Sequence, residues 1–155
     1  EKIIINTFAF KKKMFLEDLI KNFGGQSIVH SIDIKKTFFN SQSIFIESGS
    51  KRVKLKLCDW LKYIQDIGIG EILITNIDNE GTWQGFDFEL VKKVSNLMSI
   101  PVIANGGCGS YSDIKKIFDY SNGDAAAVGS MFVFQKKGMG VLINYPTEND
   151  LKKIF

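Results

Sequence analysis

The chain has 155 residues, with 20 basic and 17 acidic side chains, and its formal net charge is +3. Apolar residues make up 45% of the sequence and charged residues 24%, which excludes a disordered, collagen-like or disulfide-stapled chain and predicts a domain with a sizeable core. The small positive charge is scattered over short lysine runs, so it favours neither a nucleic-acid binder nor a membrane-surface binder.

The two cysteines, Cys58 and Cys108, lie far apart and form no CxxC motif. This usage favours reduced thiols in a cytoplasmic protein and supports neither a disulfide framework nor a zinc site. The longest apolar run, residues 125–134, is shorter than the roughly 20 residues that a membrane-spanning helix needs. We therefore expect a cytoplasmic domain with no metal, no cofactor and no membrane or nucleic-acid partner.

Short β-branched runs alternate with amphipathic helical patterns along the chain. The predicted strands are residues 2–6, 27–33, 71–77, 101–105 and 124–128. Their starts are 25, 44, 30 and 23 residues apart, which is the spacing of repeated β-α units. The longest interval contains a predicted β hairpin, residues 44–47 and 51–55, with its turn at Ser48-Gly49.

Helical spacing and capping residues support the same register. Phe15, Leu19 and Phe23 form the apolar stripe of the first predicted helix. The later stripes are Leu57, Trp60, Leu61 and Ile64, then Leu90, Val94, Leu97 and Met98, then Ile114, Ile117 and Phe118. The predicted caps are Asp87, Ser110 or Ser112 at the starts of helices, and Gly24 and Gly68 at their ends.

Polar residues at strand ends decide between an open doubly wound sheet and a closed (β/α)8 barrel. Asn6, Asp33, Asp78 and Asn105 fall at or just past the carboxyl ends of predicted strands, where the chemistry of a barrel lies. This pattern favours the barrel. Five strands cannot close such a barrel alone, because a complete one normally needs roughly 250 residues.

Glycine-rich loops follow two neighbouring predicted strands. Gly106, Gly107 and Gly109 follow one strand, and Gly129 with Ser130 follows the next. Backbone N–H groups placed in this way can converge on one phosphate dianion, and helix N-termini add favourable partial charge. The alternative is that these glycines only turn tight loops.

Over essentially the whole chain, these motifs resemble the cyclase subunits of imidazole glycerol phosphate synthase, a family of histidine-biosynthesis barrels. The matching segments are residues 5–7, 31–33, 48–49, 70–73, 77–78, 81–82, 104 and 106–107. The resemblance implies an α/β chain that covers about strands 4 to 8 of a TIM (β/α)8 barrel, with a β hairpin after strand 5. Residues 1–155 would then be the C-terminal part of a single barrel whose first three β-α units are missing.

The resemblance makes Asp33 the catalytic aspartate, a general acid and base while ammonia adds to a ribulosyl ketone and the imidazole ring closes. A carboxylate in a barrel mouth can be desolvated enough to exchange protons near neutral pH. The alternative is that Asp33 only caps or pairs with Lys35 or Lys36. The second catalytic aspartate of the family lies on strand 1, so these residues alone are expected to be inactive.

The family's substrate carries two phosphates, and the resemblance implies a separate cradle for each. Asn6 and Thr7 would contribute to one cradle. The other would be built from Gly81, Gly107, Gly129 and Ser130, with Glu80 beside it. Alternation puts Thr75 on the same face of its strand as Glu71 and Leu73, so its hydroxyl is predicted to face substrate inside the barrel, with core packing as the alternative.

Lys2 and Glu71 begin their predicted strands, at the end of the barrel opposite the active face. They match two members of the charged ring that gates ammonia passage from a glutaminase partner in the family. The alternative is an inward salt bridge that only stabilises the barrel. His30 precedes Asp33 by three residues and is therefore predicted to face the helix layer.

The sequence departs from the histidine-pathway pattern in three places. Glu80 stands where those enzymes carry aspartate, and Asn105 stands where they usually carry serine. The tail, residues 140–146, resembles instead a paralogous branch associated with surface-glycan products. Glu80 is one methylene longer than the aspartate it replaces, which moves its carboxylate by about an ångström. Such a shift can lower the rate about 10²-fold if the group touches the reacting atoms.

Three functions follow from these patterns. The first is a lyase that cyclises a phosphoribulosyl-formimino aminoimidazole carboxamide ribotide with ammonia from a glutaminase subunit. The second is a barrel of the same design that delivers ammonia for amidation of a surface-glycan sugar. The third is a non-catalytic half-barrel assembly module, against which Asp33, Lys2 and Glu71 argue because a scaffold does not need them.

Overall fold

The computed structural model describes residues 1–37, 41–135 and 138–155. Its strands are β1 (Ile3–Ile5), β2 (Ile28–Lys36), β3 (Gln42–Ile46), β4 (Lys51–Arg52), β5 (Glu71–Asn76), β6 (Val102–Asn105) and β7 (Ala125–Ala127). Its helices are α1 (Thr7–Lys11), α2 (Lys13–Phe23), a short 3-10 helix (Gly25–Ser27), α3 (Leu57–Asp66), α4 (Phe88–Ser95), α5 (Tyr111–Ser121), α6 (Ser130–Val133) and α7 (Glu148–Leu151).

The strands form one sheet, in which β1, β2, β5, β6 and β7 are parallel neighbours in that order. These are the five strands that the sequence predicts, each separated from the next by a helical segment. β3 pairs antiparallel with the last four residues of β2, and β4 pairs antiparallel with β3. The predicted hairpin is therefore confirmed, and it extends the sheet beyond the end of β1.

One face of the sheet is buried under the helices. The apolar strand residues on this face are isoleucine, valine or alanine and are almost fully buried; they are Ile28, Ile32, Ile34, Ile72, Ile74, Val102 and Ala104. The stripe of α3 packs against them as predicted, since Leu57, Trp60, Leu61 and Ile64 are all buried. The predicted stripe of α2 is wrong in detail, because Leu16 is its fully buried residue and Phe23 is 55% exposed.

The predicted helix caps are present. The Asp87 carboxylate accepts a hydrogen bond from the Leu90 backbone N–H at 3.1 Å, and the Ser110 hydroxyl accepts one from the Asp113 N–H at 3.2 Å. Of the two serines proposed for α5, Ser110 is therefore the cap. None of the helices in the described ranges is long and apolar enough to span a membrane.

The sequence placed the end of the second strand at Asp33, and this boundary is wrong. β2 continues to Lys36 because β3 pairs with it, with Asp33 opposite Phe45 and Lys36 opposite Gln42. Asp33 therefore lies inside a strand, where its side-chain direction is set by hydrogen bonding on both sides. The hairpin turn is where it was predicted, and Glu47, Ser48 and Gly49 all have positive φ there.

His30 is fully buried on the helix side of the sheet, as predicted. Its Nδ1 lies 2.9 Å from the Ile5 carbonyl oxygen, and its Nε2 accepts a hydrogen bond from the Trp60 indole N–H at 2.9 Å. Both contacts fit a neutral ring with the proton on Nδ1. Burial lowers the pKa of His30 to about 4, although the hydrogen bond to Ile5 opposes this shift.

We expect the fold to lose stability in mild acid through His30. The unfolded ring titrates near pH 6.5 and the folded ring near pH 4, so the unfolded state binds more protons between these values. The contribution of His30 to the free energy of unfolding is complete above about pH 6.5 and is lost as the pH falls towards 4, by about 3 kcal/mol in total. Urea unfolding at several pH values across this range measures this loss. In His30→Gln, which cannot titrate, this part of the pH dependence should vanish; an unchanged pH dependence would contradict the assignment.

Candidate functional site

Three polar side chains form a row on the face of the sheet opposite the buried one. Asp33 of β2 pairs in register with Thr75 of β5, and Thr75 pairs with Asn105 of β6. All three line a cavity of about 460 Å³. The Asn105 side-chain amide donates a hydrogen bond to the Thr75 hydroxyl at 3.0 Å. Thr75 is 4% exposed, so this hydroxyl lies in a largely dry environment.

Asp33 is half-buried, and burial raises the pKa of its carboxyl above the usual value. The nearby Asn6 amide opposes this shift without cancelling it. The ion pair considered for Asp33 is not present among the described residues, since the nearest carboxylates to Lys35 and Lys36 belong to Asp78 at 4.0 Å and Asp87 at 3.9 Å. Asp33 is therefore an unpaired carboxyl with a raised pKa at a cavity wall, the environment of a group that can exchange protons.

A second, smaller cavity of about 50 Å³ lies at the carboxyl ends of β6 and β7. It is lined by the residues that the sequence assigns to one phosphate cradle, namely Gly81, Gly107, Gly129 and Ser130. The structure therefore brings these four residues together. Backbone N–H groups of such loops are suited to an anion.

Glycine is required in the loop after β6 by its backbone conformation and by close packing. Gly106 and Gly107 have φ of 91° and 101°, which L side chains rarely adopt. A Cβ on Gly107 would lie 2.2 Å from the Gly85 carbonyl oxygen. The Gly85 N–H also donates to the Gly107 carbonyl at 2.8 Å, so the loops after β5 and β6 are held against each other.

The two cavities share Glu80 and Asn105 in their walls. A ligand with its phosphate in the small cavity would therefore pass these two side chains on its way to Asp33. The sequence identified Asn105 as a polar residue at a strand end and as a departure from serine, but did not assign it to the site. Its place on the same face of the strand as Ile103, next to the predicted inward-facing Thr75, is the signal that could have identified it.

Other residues of the cavity walls were also missed. The larger cavity is additionally lined by Ser31, Lys35, Ser48, Gly49, Leu73 and Ile77, which the sequence did not assign to a site. Cys108 lines the small cavity. Burial, together with the nearby Asp113 carboxylate, raises the pKa of the Cys108 thiol to about 12. The thiol is therefore protonated at neutral pH and is not a nucleophile.

Asn6 and Thr7 follow β1 and lie away from the glycine-lined cavity, and Asn6 lies beside Asp33 and Ser31 of the larger cavity. The Thr7 hydroxyl accepts a hydrogen bond from the Glu47 N–H at 3.0 Å, and Lys11 pairs with the Glu47 carboxylate at 2.7 Å. The Asn6 amide is 3.4 Å from the Ser31 hydroxyl. Thr7 therefore holds the hairpin turn in this structure, and the two residues do not join the glycine-lined cavity.

Lys2 and Glu71 form an ion pair at the amino ends of the strands, opposite the row of Asp33, Thr75 and Asn105. The Lys2 side chain is 48% exposed and that of Glu71 is 20% exposed. Both border an open cavity of about 500 Å³. The pairing fits the alternative considered for these residues, a salt bridge, and their position at this end of the sheet is the one that the sequence predicts.

Within the described ranges, no group of three or more His, Cys, Asp or Glu side chains is arranged to hold a metal ion. The row itself presents a carboxyl, a hydroxyl and an amide beside the glycine-lined cavity.

Comparison with known proteins connects this geometry to a family. A family model described as "Histidine biosynthesis protein" matches residues 1–137. The chain is 39% identical over 151 residues to the Pseudomonas aeruginosa protein "Putative imidazole glycerol phosphate synthase subunit hisF2", a match that covers 97% of this chain and 60% of that protein. It is 36% identical over 154 residues to the Vibrio vulnificus protein "Putative imidazole glycerol phosphate synthase subunit hisF3", over 99% and 59% of the two chains.

A third relative carries the same name without a qualifier. The chain is 37% identical over 133 residues to the Lactococcus lactis protein "Imidazole glycerol phosphate synthase subunit HisF", over 85% of this chain and 51% of that protein. The chain thus spans between 51% and 60% of the length of these relatives. Its parallel sheet, with helices on one face, is part of a TIM (β/α)8 barrel. From the family match and these identities, the chain belongs to the histidine biosynthesis protein family, among its cyclase subunits.

Proposed function

We propose that this chain provides the acid-base and phosphate-binding face of an imidazole glycerol phosphate synthase cyclase subunit. The complete protein would use ammonia from a glutaminase partner to cyclise a phosphoribulosyl-formimino aminoimidazole carboxamide ribotide to imidazole glycerol phosphate, with release of the aminoimidazole carboxamide ribotide and water. The observation that carries the proposal is that the two cavities share Glu80 and Asn105 in their walls, so the glycine-lined cavity adjoins the one that Asp33 lines.

The small cavity would hold one substrate phosphate through the backbone N–H groups of its glycine loop and of the residues that begin α6. The shared wall at Glu80 and Asn105 would then direct the rest of the substrate into the larger cavity, beside Asp33. Such fixed placement of the reacting atoms is a large part of what an enzyme supplies.

Asp33 would transfer the protons of the reaction. As a carboxylate it would take a proton from the nitrogen that ammonia contributes to the ketone carbon. As a carboxylic acid it would return a proton to the oxygen that leaves as water. A carboxyl whose pKa is raised by burial is populated in both forms closer to neutral pH than an exposed one.

Ammonia would enter from the opposite end of the sheet. Glu71 and Thr75 lie on the same face of β5, four residues apart, which corresponds to about 13 Å along the strand. The ion pair of Lys2 and Glu71 stands at the entrance to this path. Displacing the pair would open the inner face to a small neutral molecule without disturbing the phosphate site.

We expect Asp33→Asn to lower the turnover of the full-length protein with free ammonium by at least about 10²-fold, because the amide cannot exchange the proton. The assay follows conversion of the ribulosyl substrate at saturating ammonium. Asp66→Asn, an exposed aspartate at the end of α3, is the matched control and should stay within about twofold of the parent. Full activity of Asp33→Asn would contradict the assignment of Asp33 as the acid and base.

We expect Lys2→Ala and Glu71→Ala to change glutamine-dependent turnover while leaving ammonium-dependent turnover nearly unaltered, because free ammonium reaches the site from solvent. The ratio of the two rates, measured with the glutaminase partner present, is the readout. Lys62→Ala, an exposed lysine of α3, serves as the control. If both variants keep the parental ratio, the pair is only a structural salt bridge.

A second function, delivery of ammonia for amidation of a surface-glycan sugar, is favoured by Glu80 and Asn105. These two departures from the histidine-pathway pattern occupy the wall shared by both cavities, where they would contact the substrate. A full-length protein that stimulates a glutaminase but does not convert the ribulosyl substrate would support this second function. One that does neither would support an assembly module.

A further inference from the structure

Asn105 contacts Thr75, its neighbour in the row, and also borders the smaller, glycine-lined cavity. Its amide nitrogen donates to the Thr75 hydroxyl oxygen at 3.0 Å across the β5–β6 pair. On its other side Thr75 is the register partner of Asp33. The Asn105 amide therefore binds a hydroxyl, that of Thr75, whose strand neighbour is Asp33, the proposed acid and base.

A threonine hydroxyl has one proton to donate and two lone pairs to accept. Because Nδ2 of Asn105 occupies an accepting position, the O–H bond of Thr75 must point away from Asn105. The described residues offer the Thr75 hydroxyl no other hydrogen-bond partner, and the side chain is 4% exposed in the cavity wall. The hydroxyl proton is thus left for an acceptor inside the cavity.

We propose that Asn105 is a positioning residue, which holds the Thr75 hydroxyl as a hydrogen-bond donor towards the substrate oxygen beside Asp33. This proposal rests on the proposed function, in which that oxygen belongs to the carbonyl that ammonia attacks. Thr75 would stabilise the charge that develops on the oxygen through a hydrogen bond alone, with no proton transferred. Asn105 acts through Thr75 and need not touch the reacting atoms.

The side-chain N–H of Asn105 is the group that this arrangement requires. Asn105→Ala has no side-chain donor or acceptor and therefore removes the hydrogen bond to Thr75. Asn105→Asp keeps the shape but supplies only acceptors when ionised, so it reverses the direction of the bond to Thr75.

The activity test compares Asn105→Ala, Asn105→Asp, Thr75→Val and the double variant Asn105→Ala/Thr75→Val in the full-length protein with free ammonium. Each single variant should lose about tenfold in kcat, with KM within about twofold, because the proposed phosphate site is intact. The double variant should lose no more than Thr75→Val. Multiplying losses, or a rise in KM alone, would overturn the positioning role. Asn149→Ala on α7 is the control for a surface asparagine.

A substrate-free measurement separates failure of this inference from failure of the proposed function. NMR three-bond couplings to the Thr75 methyl carbon report its χ1 rotamer. We expect one rotamer in the parent protein and in Asn105→Asp, whose carboxylate keeps a bond to the Thr75 hydroxyl, and averaging over rotamers in Asn105→Ala. A parent that does not turn over the ribulosyl substrate would contradict the proposed function only, whereas couplings unchanged in Asn105→Ala would contradict the positioning role whatever the substrate is.

Discussion

The pairing register of β2, β5 and β6 is the constraint on which the candidate site depends. It aligns Asp33, Thr75 and Asn105 side by side on one face of the sheet. Because side chains alternate between faces, a slip of one residue in either pair would turn a member of the row into the helix layer. Register is enforced from that layer, where the isoleucines of β2 and β5 are almost completely buried.

The two faces of the sheet have different physical roles. The helix face carries the apolar core and the His30–Trp60 hydrogen bond, and it supplies most of the stability. The opposite face carries a half-buried carboxyl and a buried hydroxyl, groups whose desolvation costs free energy unless they gain partners. Asn105 provides a partner for Thr75, whereas Asp33 has no ion pair among the described residues, which is consistent with a role that needs its proton to be exchangeable.

Local sequence signals were sufficient for much of this fold. β-branched runs located the five parallel strands, Asp87 and Ser110 were recognisable as caps, and Ser48-Gly49 marked the hairpin turn. What escaped prediction depends on contacts between distant segments. The extension of β2 requires β3 as a partner, and the choice of Leu16 over Phe23 as the buried residue of α2 depends on how that helix is rotated on the sheet.

The same distinction applies to the candidate site. Alternation predicted that Thr75 faces inwards, and the family resemblance implied that Gly81, Gly107, Gly129 and Ser130 lie together. The hydrogen bond from Asn105 to Thr75 was not predictable, because it joins side chains 30 residues apart whose alignment depends on the exact pairing of two strands. Thr7 likewise binds the hairpin turn through a long-range contact that no local pattern encodes.

The most direct test is a crystal structure of the full-length protein with imidazole glycerol phosphate bound. We predict that the phosphate oxygens lie within hydrogen-bonding distance of the backbone N–H groups of Gly107 and Ser130, and that the imidazole ring lies against Asp33 in the larger cavity. A phosphate bound outside the glycine-lined cavity, or a ring held away from Asp33, would contradict the account.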